Sequence, residues 1–242
     1  MAPRFFCPQR LEAGALAELP LMAAHHAERV LRLREGDDVV LFDGMGGEYR
    51  GRLAEGGRSP RVLVLEHRAV EREAPIAIVL AQAVPAGDRM DWLVQKAVEL
   101  GVAAIAPLQT ERSVVRLSGD RAAKRRAHWQ QVAVGACEQC GRNRVPAVHS
   151  VIEVRRFLAE SGSDEGSRLM LDPRAAAELR HMDTPGGRIS LLIGPEGGIT
   201  ESEAHAARAR GFLSVRLGPR TLRADTAGLA AVAAILARWG DF

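Results

Sequence analysis

A chain of 242 residues, 47% apolar and 26% charged, can bury the core of one large domain or two modest ones and keep a wet surface. It has no run of about eighteen apolar residues, and Met1 to Cys7 lacks the apolar stretch of a secretion signal. A membrane or exported protein is therefore not expected, and a cytoplasmic one is. The net charge of +3 is unevenly spread: residues 1–70 hold ten basic and ten acidic side chains and residues 151–242 hold twelve of each, so the excess lies between them.

Residues 1–70 read as β-rich. Asp38-Val-Val-Leu-Phe-Asp43 and Pro60-Arg-Val-Leu-Val-Leu-Glu66 are short apolar runs punctuated by Gly36, Gly44, Gly46, Gly47, Gly56 and Gly57, the pattern of a small barrel of hairpins. His25 to Arg32 reads as a short helix leading into it. Adjacent His25 and His26 point to different helix faces and make a poor chelate. The charged segment Glu66 to Pro75 ends this pattern and divides the chain into residues 1–70 and 71–242.

Beyond it, Ile76 to Ala83 reads as a buried strand. Asp88 can cap a helix through Leu100, with Leu93, Ala97 and Leu100 on one face and Gly101 as its stop. Val102 to Pro107 is a second strand, and this strand, helix, strand order implies a parallel sheet. A long helix runs from Asp120 to about Gly141, with Trp129, Val132, Ala133 and Ala136 as its apolar stripe. From Arg112 to Arg144, eight cations (Arg112, Arg116, Arg121, Lys124, Arg125, Arg126, Arg142 and Arg144) face only Asp120 and Glu138. Such a patch suits a phosphate backbone, although a solvated helix face has the same composition. Three cysteines do not make a disulfide framework. Cys137 and Cys140 have C-x-x-C spacing but no further pair of ligands suitably spaced, so no metal is expected.

Arg168 to Asp172 is a further strand. Ile189 to Ile193 is another, broken by Gly194, Gly197 and Gly198. Thr200 and Glu203 form a capping-box pattern opening a helix that ends at Gly211. Val215 to Leu217 reads as a strand, and Asp225 to Trp239 as a helix with Leu229, Val232, Ala233 and Leu236 inward. Two late strand-to-helix turns thus carry chemistry, one with Glu196 and the other with Arg220, Arg223 and Asp225. Glycine there lets bare backbone N–H groups approach a ligand at strand carboxyl ends. Neither a G-x-x-x-x-G-K-[ST] loop nor a G-x-G-x-x-G loop after the first strand of this domain is present. Gly44 to Gly47 lies between barrel strands, where a hairpin loop explains it better.

Six segments in order, His26 to Arg32, Gln95-Lys-Ala-Val-Glu-Leu-Gly101, Thr110-Glu-Arg-Ser113, Glu138-Gln-Cys-Gly-Arg142, Gly194-Pro-Glu-Gly-Gly198 and Leu217-Gly-Pro-Arg-Thr-Leu-Arg223, resemble the SPOUT-type methyltransferases. Within them, the likeness is to the bacterial small-subunit rRNA uracil-N3 methyltransferases (the RsmE family), over almost the whole chain. The resemblance implies an α/β fold: a C-terminal SPOUT-type domain with a trefoil knot, and a small N-terminal PUA-like RNA-binding β-barrel. It implies a homodimer that uses S-adenosylmethionine to methylate N3 of one uridine in 16S rRNA of the small ribosomal subunit.

For the cofactor the resemblance points to Leu171, Ile193, Gly194, Pro195, Glu196, Gly197, Gly198, Leu217, Gly218, Leu222, Arg223 and Thr226. Uracil N3–H is a weak acid, so a proton acceptor is needed, with a cation or N–H donors to stabilise negative charge on the adjacent carbonyl oxygens. Glu196 or Asp225 is the candidate for the first role and Arg223 or Arg220 for the second. Arg4, Arg29, Arg32, Arg112, Arg121, Lys124, Arg125 and Arg142 are expected to contact RNA. Two departures stand out: Ala224-Asp225 replaces the family's Thr-Glu, and Cys140 replaces a serine. A ribosome-assembly factor that binds RNA without catalysis, and a 2′-O-ribose methyltransferase, are the alternatives.

Overall fold

The glycine-punctuated runs of the N-terminal part pair as hairpins. The computed structural model describes residues 2–54, 60–161 and 166–242; Gly56 and Gly57 lie outside them. The chain forms two units, one of residues 1–73 and 134–145, the other of residues 74–133 and 146–242. The first unit thus includes a helical segment far along the chain, residues 134–145.

In the first unit, β1 (Arg4–Phe6), β2 (Leu16–Glu18), β3 (Asp38–Phe42), β4 (Glu48–Ala54) and β5 (Arg61–Arg68) form one sheet in the order β1-β3-β4-β5-β2. Strands β3, β4 and β5 are antiparallel neighbours, and β1 runs parallel to β3. Gly44 to Gly47 is the β3–β4 loop, with positive φ at Gly44, Gly46 and Gly47. Alternating residues Val39 and Leu41, and Val62 and Val64, point into a core shared with Phe5, Cys7 and Leu19. The short helix α1 (Leu21–His25) continues as a π turn over His26–Val30 and adds Ala23, Ala24 and Ala27 to that core. His26 packs edge-on against Phe5.

Residues 134–145, the last turns of the long helix α3 (Gly119–Cys140) and the segment after it, complete this unit. Glu138 accepts a hydrogen bond from the Phe6 N–H at 3.0 Å. Arg4 donates to Glu48 at 2.5 Å and to the Asn143 side-chain oxygen at 2.6 Å, and Arg72 donates to Glu48 at 3.2 Å. Arg142 pairs with Glu73. These contacts correct two expectations. Arg4 and Arg142 do not face RNA: their side chains are 7% and 4% exposed and are spent on carboxylates, as buried guanidinium groups must be. Of the C-x-x-C pair, Cys137 is buried and Cys140 partly so. Burial pushes the Cys137 thiol up to about 12, and its Sγ donates to the Arg144 carbonyl at 3.6 Å.

The second unit is a parallel sheet. Its strands are β6 (Ala77–Ala83), β7 (Ala104–Gln109), β8 (Ala147–Val148), β9 (Ile152–Glu153), β10 (Ser167–Leu171), β11 (Arg188–Ile193) and β12 (Leu213–Val215). The order is β12-β10-β11-β6-β7-β8, with β9 also beside β7. Central β6 and β11 are mostly apolar, as expected of strands covered on both faces, with Gln82 in the first and Ser190 in the second as polar interruptions. On one face Ala81, Ala106, Met170 and Leu192 pack with α4 (Val154–Glu160) and α5 (Glu201–Ala209). On the other lies α6 (Ala224–Trp239), brought close by Gly228: a Cβ there would sit 2.9 Å from the Gln82 side-chain oxygen and 3.3 Å from Leu80. Helix α2 (Arg89–Glu99) packs against α6. Among the described residues no helix is long and apolar enough to cross a membrane.

Two local expectations are corrected. Asp88 precedes α2 but makes no side-chain cap; its carboxylate lies 3.8 Å from Arg125 instead. The last strand is Leu213–Val215, two residues earlier than the Val215 to Leu217 run suggests. It pairs with β10 only as far as Leu171, and Arg216 then bridges to Glu178 and leaves the sheet.

Candidate active site

Parallel β10, β11 and β12 end on the same side of the sheet, and the chain after each strand bounds a cleft of about 650 Å³. Leu171, Ile193, Val215, Leu217, Leu222 and Ala227 give it apolar walls. Asp172, Glu196 and Glu201 bring carboxylates, and Arg112, Arg174, Arg216, Arg220 and Arg223 bring guanidinium groups. A second cavity, of about 460 Å³, opens at the other ends of β10 and β11 beside Ser167 and Arg188, with no residue of either glycine loop on its wall.

Local chemistry explains the first loop. A Cβ on Gly194 would lie 2.7 Å from Ile199 Cγ1, so the chain can leave β11 by this route only without a side chain. Gly198 has φ +72°, and its N–H donates to the Pro195 carbonyl at 2.8 Å, closing a turn. The capping box follows: Thr200 accepts from the Glu203 N–H, and the Glu203 carboxylate accepts from the Thr200 N–H. Buried Glu203 also accepts from the Glu111 N–H at 2.8 Å, and Arg112 Nη1 donates to the Gly197 carbonyl at 3.0 Å. The Thr110–Ser113 segment thus braces the glycine loop. Arg112, expected to contact RNA, is exposed and stands on the cleft wall, with Nη1 bonded to a loop carbonyl.

The second loop is held from below. Arg216 donates to Glu178 at 2.5 Å and to the Ala175 carbonyl at 2.9 Å. Hydrogen bonds from Arg216 and Arg180 hold the Glu178 carboxyl below the usual carboxylate range. Residues 217–223 then belong to no helix or strand, which leaves their backbone groups outside any ladder.

Charges of alternating sign line up beside the cleft. Glu196 Oε1 accepts from the Ala86 N–H at 3.1 Å and lies 3.6 Å from Arg89 Nη1. Arg89 Nε is 3.7 Å from Asp225 Oδ2, and Arg223 Nε is 4.0 Å from Asp225 Oδ1. Of the expected site residues, Leu171, Ile193, the whole Gly194–Gly198 loop, Leu217, Gly218, Arg220, Leu222 and Arg223 reach the wall; Asp225 and Thr226 stand in the first turn of α6, off it. Arg89 was missed. The available signal was a cation in the first turn of a helix, where the helix dipole disfavours one.

Of the residues expected to face RNA, Arg121, Lys124 and Arg125 share one open face of α3 with His128. Arg29 and Arg32 are exposed in and just after the π turn, Arg32 with φ +53°.

The cleft fits S-adenosylmethionine in kind. It offers apolar walls for a purine, ladder-free backbone groups for polar edges and carboxylates for a sulfonium and an ammonium. A Cβ added at Gly218 would meet nothing within 4 Å, so this wall is open space.

A family model described as an RNA methyltransferase domain matches residues 72–236, and one described as an RNA methyltransferase PUA domain matches residues 23–65. The chain is similar to ribosomal RNA small subunit methyltransferase E of Bacillus subtilis, 32% identical over 94% of this chain and 92% of that protein. The protein of the same name from Mycobacterium bovis is 32% identical over 99% and 94%. A solved structure, the ribosomal RNA small subunit methyltransferase E from Neisseria gonorrhoeae bound to S-adenosyl methionine, is 42% identical over 100% of both chains, with a TM-score of 0.93.

Proposed function

The chain belongs to the ribosomal RNA small subunit methyltransferase E family, and from that premise we propose that it transfers a methyl group from S-adenosylmethionine to N3 of one uridine in 16S rRNA. The observation that carries this reading is the convergence of two late glycine loops on one cleft, with Glu196 and Arg223 on its wall. We further propose that it acts as a homodimer on the small subunit in the cytoplasm, with residues 1–70 as the RNA-binding part and residues 71–242 as the transferase.

The cofactor supplies an electrophilic methyl group on sulfur. The protein must place the uracil N3 in line with it, take the N3 proton and offset negative charge on the flanking carbonyl oxygens. Glu196 is the proton acceptor, because it lines the cleft and Asp225 does not. Arg223, with 66% of its side chain exposed and only a 4.0 Å contact to Asp225, is free to turn toward the uracil oxygens, and Arg220 stands on the same wall. N3 is engaged when uracil is paired, so the target base must be accessible or flipped out.

The test is incubation with undermethylated small subunits and labelled cofactor, followed by mass spectrometry of the nucleosides. Label as N3-methyluridine supports the reading. Label on a ribose 2′-oxygen assigns the other reaction, and no label assigns a binding factor.

A further inference from the structure

Arg89 is an unusual residue for its place. It opens α2, where the helix dipole disfavours a cation, and Asp88 before it makes no cap. What its side chain reaches explains it. Nη1 lies 3.6 Å from Glu196 and Nε 3.7 Å from Asp225, so one guanidinium joins two carboxylates from different segments, the loop after β11 and the first turn of α6. The two ends of this bridge differ. Asp225 has a side chain only 13% exposed, lies off the cleft wall and accepts from the Thr226 N–H at 3.1 Å. Glu196 lines the cleft, and its contacts with Ala86 and Arg89 both fall on Oε1.

We propose that Arg89 is a positioning residue for methyl transfer, anchored on Asp225 and holding Glu196 by Oε1, so that Oε2 is presented for the N3 proton. This rests on the reaction proposed above. The planar, always charged fork of arginine can serve two carboxylates at once, whereas a lysine offers one point charge. Asp225 is then the fixed end of the bridge and Glu196 the working end. Arg89 stands off the cleft wall and acts through Glu196.

Single-turnover methyl transfer to undermethylated small subunits, at saturating cofactor and substrate, is measured for the unaltered enzyme, Arg89→Ala, Arg89→Lys, Asp225→Ala and the Arg89→Ala/Asp225→Ala double variant. Cofactor affinity by calorimetry and melting temperature are measured alongside. Arg89→Ala is expected to slow transfer on the order of 10- to 100-fold, the scale of a misplaced catalytic group. Its cofactor Kd stays within about twofold of the unaltered value. Arg89→Lys recovers part of the rate, and the double variant is no slower than Asp225→Ala alone. A rate for Arg89→Ala within about twofold of the unaltered enzyme overturns the role while leaving the reaction standing. So does a full additional loss in the Asp225→Ala background. Absence of transfer by the unaltered enzyme overturns the reaction and this role together.

Discussion

The Arg112 guanidinium donates to the carbonyl of Gly197 at 3.0 Å, so the segment after β7 holds the glycine loop that follows β11. The same segment accepts support in return, through the Glu111 N–H on Glu203. Removing the guanidinium leaves the loop carbonyl to water at an exposed position, a loss of about 1 kcal/mol. Arg112→Ala is expected to weaken cofactor binding about fivefold with little change in melting temperature. An unchanged calorimetric Kd would show that the loop holds its shape without Arg112.

Gly194 and Gly218 border the same cleft for different reasons. A Cβ at Gly194 would press on Ile199 at 2.7 Å, whereas one at Gly218 would meet nothing within 4 Å. Gly194→Ala is therefore expected to cost about 1–3 kcal/mol of stability through overpacking. Gly218→Val is expected to leave stability within about 0.5 kcal/mol but to weaken cofactor binding at least about tenfold, by filling space a ligand needs. Thermal melts and calorimetry on both variants separate the two effects, and a Gly218→Val protein that binds normally would remove Gly218 from the cofactor wall.

Glu196 and Arg223 both line the cleft, and the proposed proton transfer predicts an asymmetric loss. Glu196→Gln preserves the oxygen that meets Ala86 but cannot take a proton as a carboxylate does. It is expected to slow transfer by about 10²- to 10⁴-fold, the usual worth of a general base, with cofactor affinity nearly unchanged. Equal losses in rate and affinity would instead make Glu196 a part of the cofactor loop.

What was legible in the sequence was local. The β11 run, the Gly194–Gly198 turn and the Thr200–Glu203 capping box are set by neighbours a few positions away, and each forms as expected. Charge partners were not legible. Arg4 meets Glu48 across 44 positions and Arg142 meets Glu73 across 69, so their burial depends on how strands and helix ends assemble. Arg89 was hidden for the same reason. Its two carboxylates become neighbours only when β6, β11 and β12 lie in one sheet with their ends together.

Two carboxylates of the first unit respond to pH with opposite sign. Burial raises the Glu48 carboxyl, but hydrogen bonds and charge from Arg4 and Arg72 outweigh this and hold it below its ordinary value. Its stabilisation is complete above the usual carboxylate range and is lost as pH falls through its own lower value. Burial also raises Glu138, and there the Phe6 N–H and the charges of His26 and Arg4 offset only part of it. Folded Glu138 binds its proton more readily than unfolded, so stability is lost as pH rises from the ordinary value through the raised one. Glu48→Gln is expected to cost on the order of 3 kcal/mol near pH 7, a gap that closes in acid. Glu138→Gln keeps the acceptor for Phe6 and is expected to raise the melting temperature near pH 8, with the gain vanishing near pH 4. Melting curves across this range check both, and a destabilised Glu138→Gln at pH 8 would contradict the assigned cost of its charge.

Arginines that looked alike in the sequence should separate in a salt titration. Arg121, Lys124 and Arg125 occupy one open face of α3 at helical spacing, where they can neutralise phosphates at little structural cost. Replacing all three by alanine is expected to weaken rRNA binding and to reduce the slope of log K against log salt by about 2 to 3, while stability stays within about 0.5 kcal/mol. Arg142 is 4% exposed and paired with Glu73. Arg142→Ala should leave the salt slope unchanged and instead destabilise the protein by about 3 kcal/mol, because it strands a carboxylate in a mostly buried site. An unaltered slope in the triple variant would move the RNA contact off this face of α3.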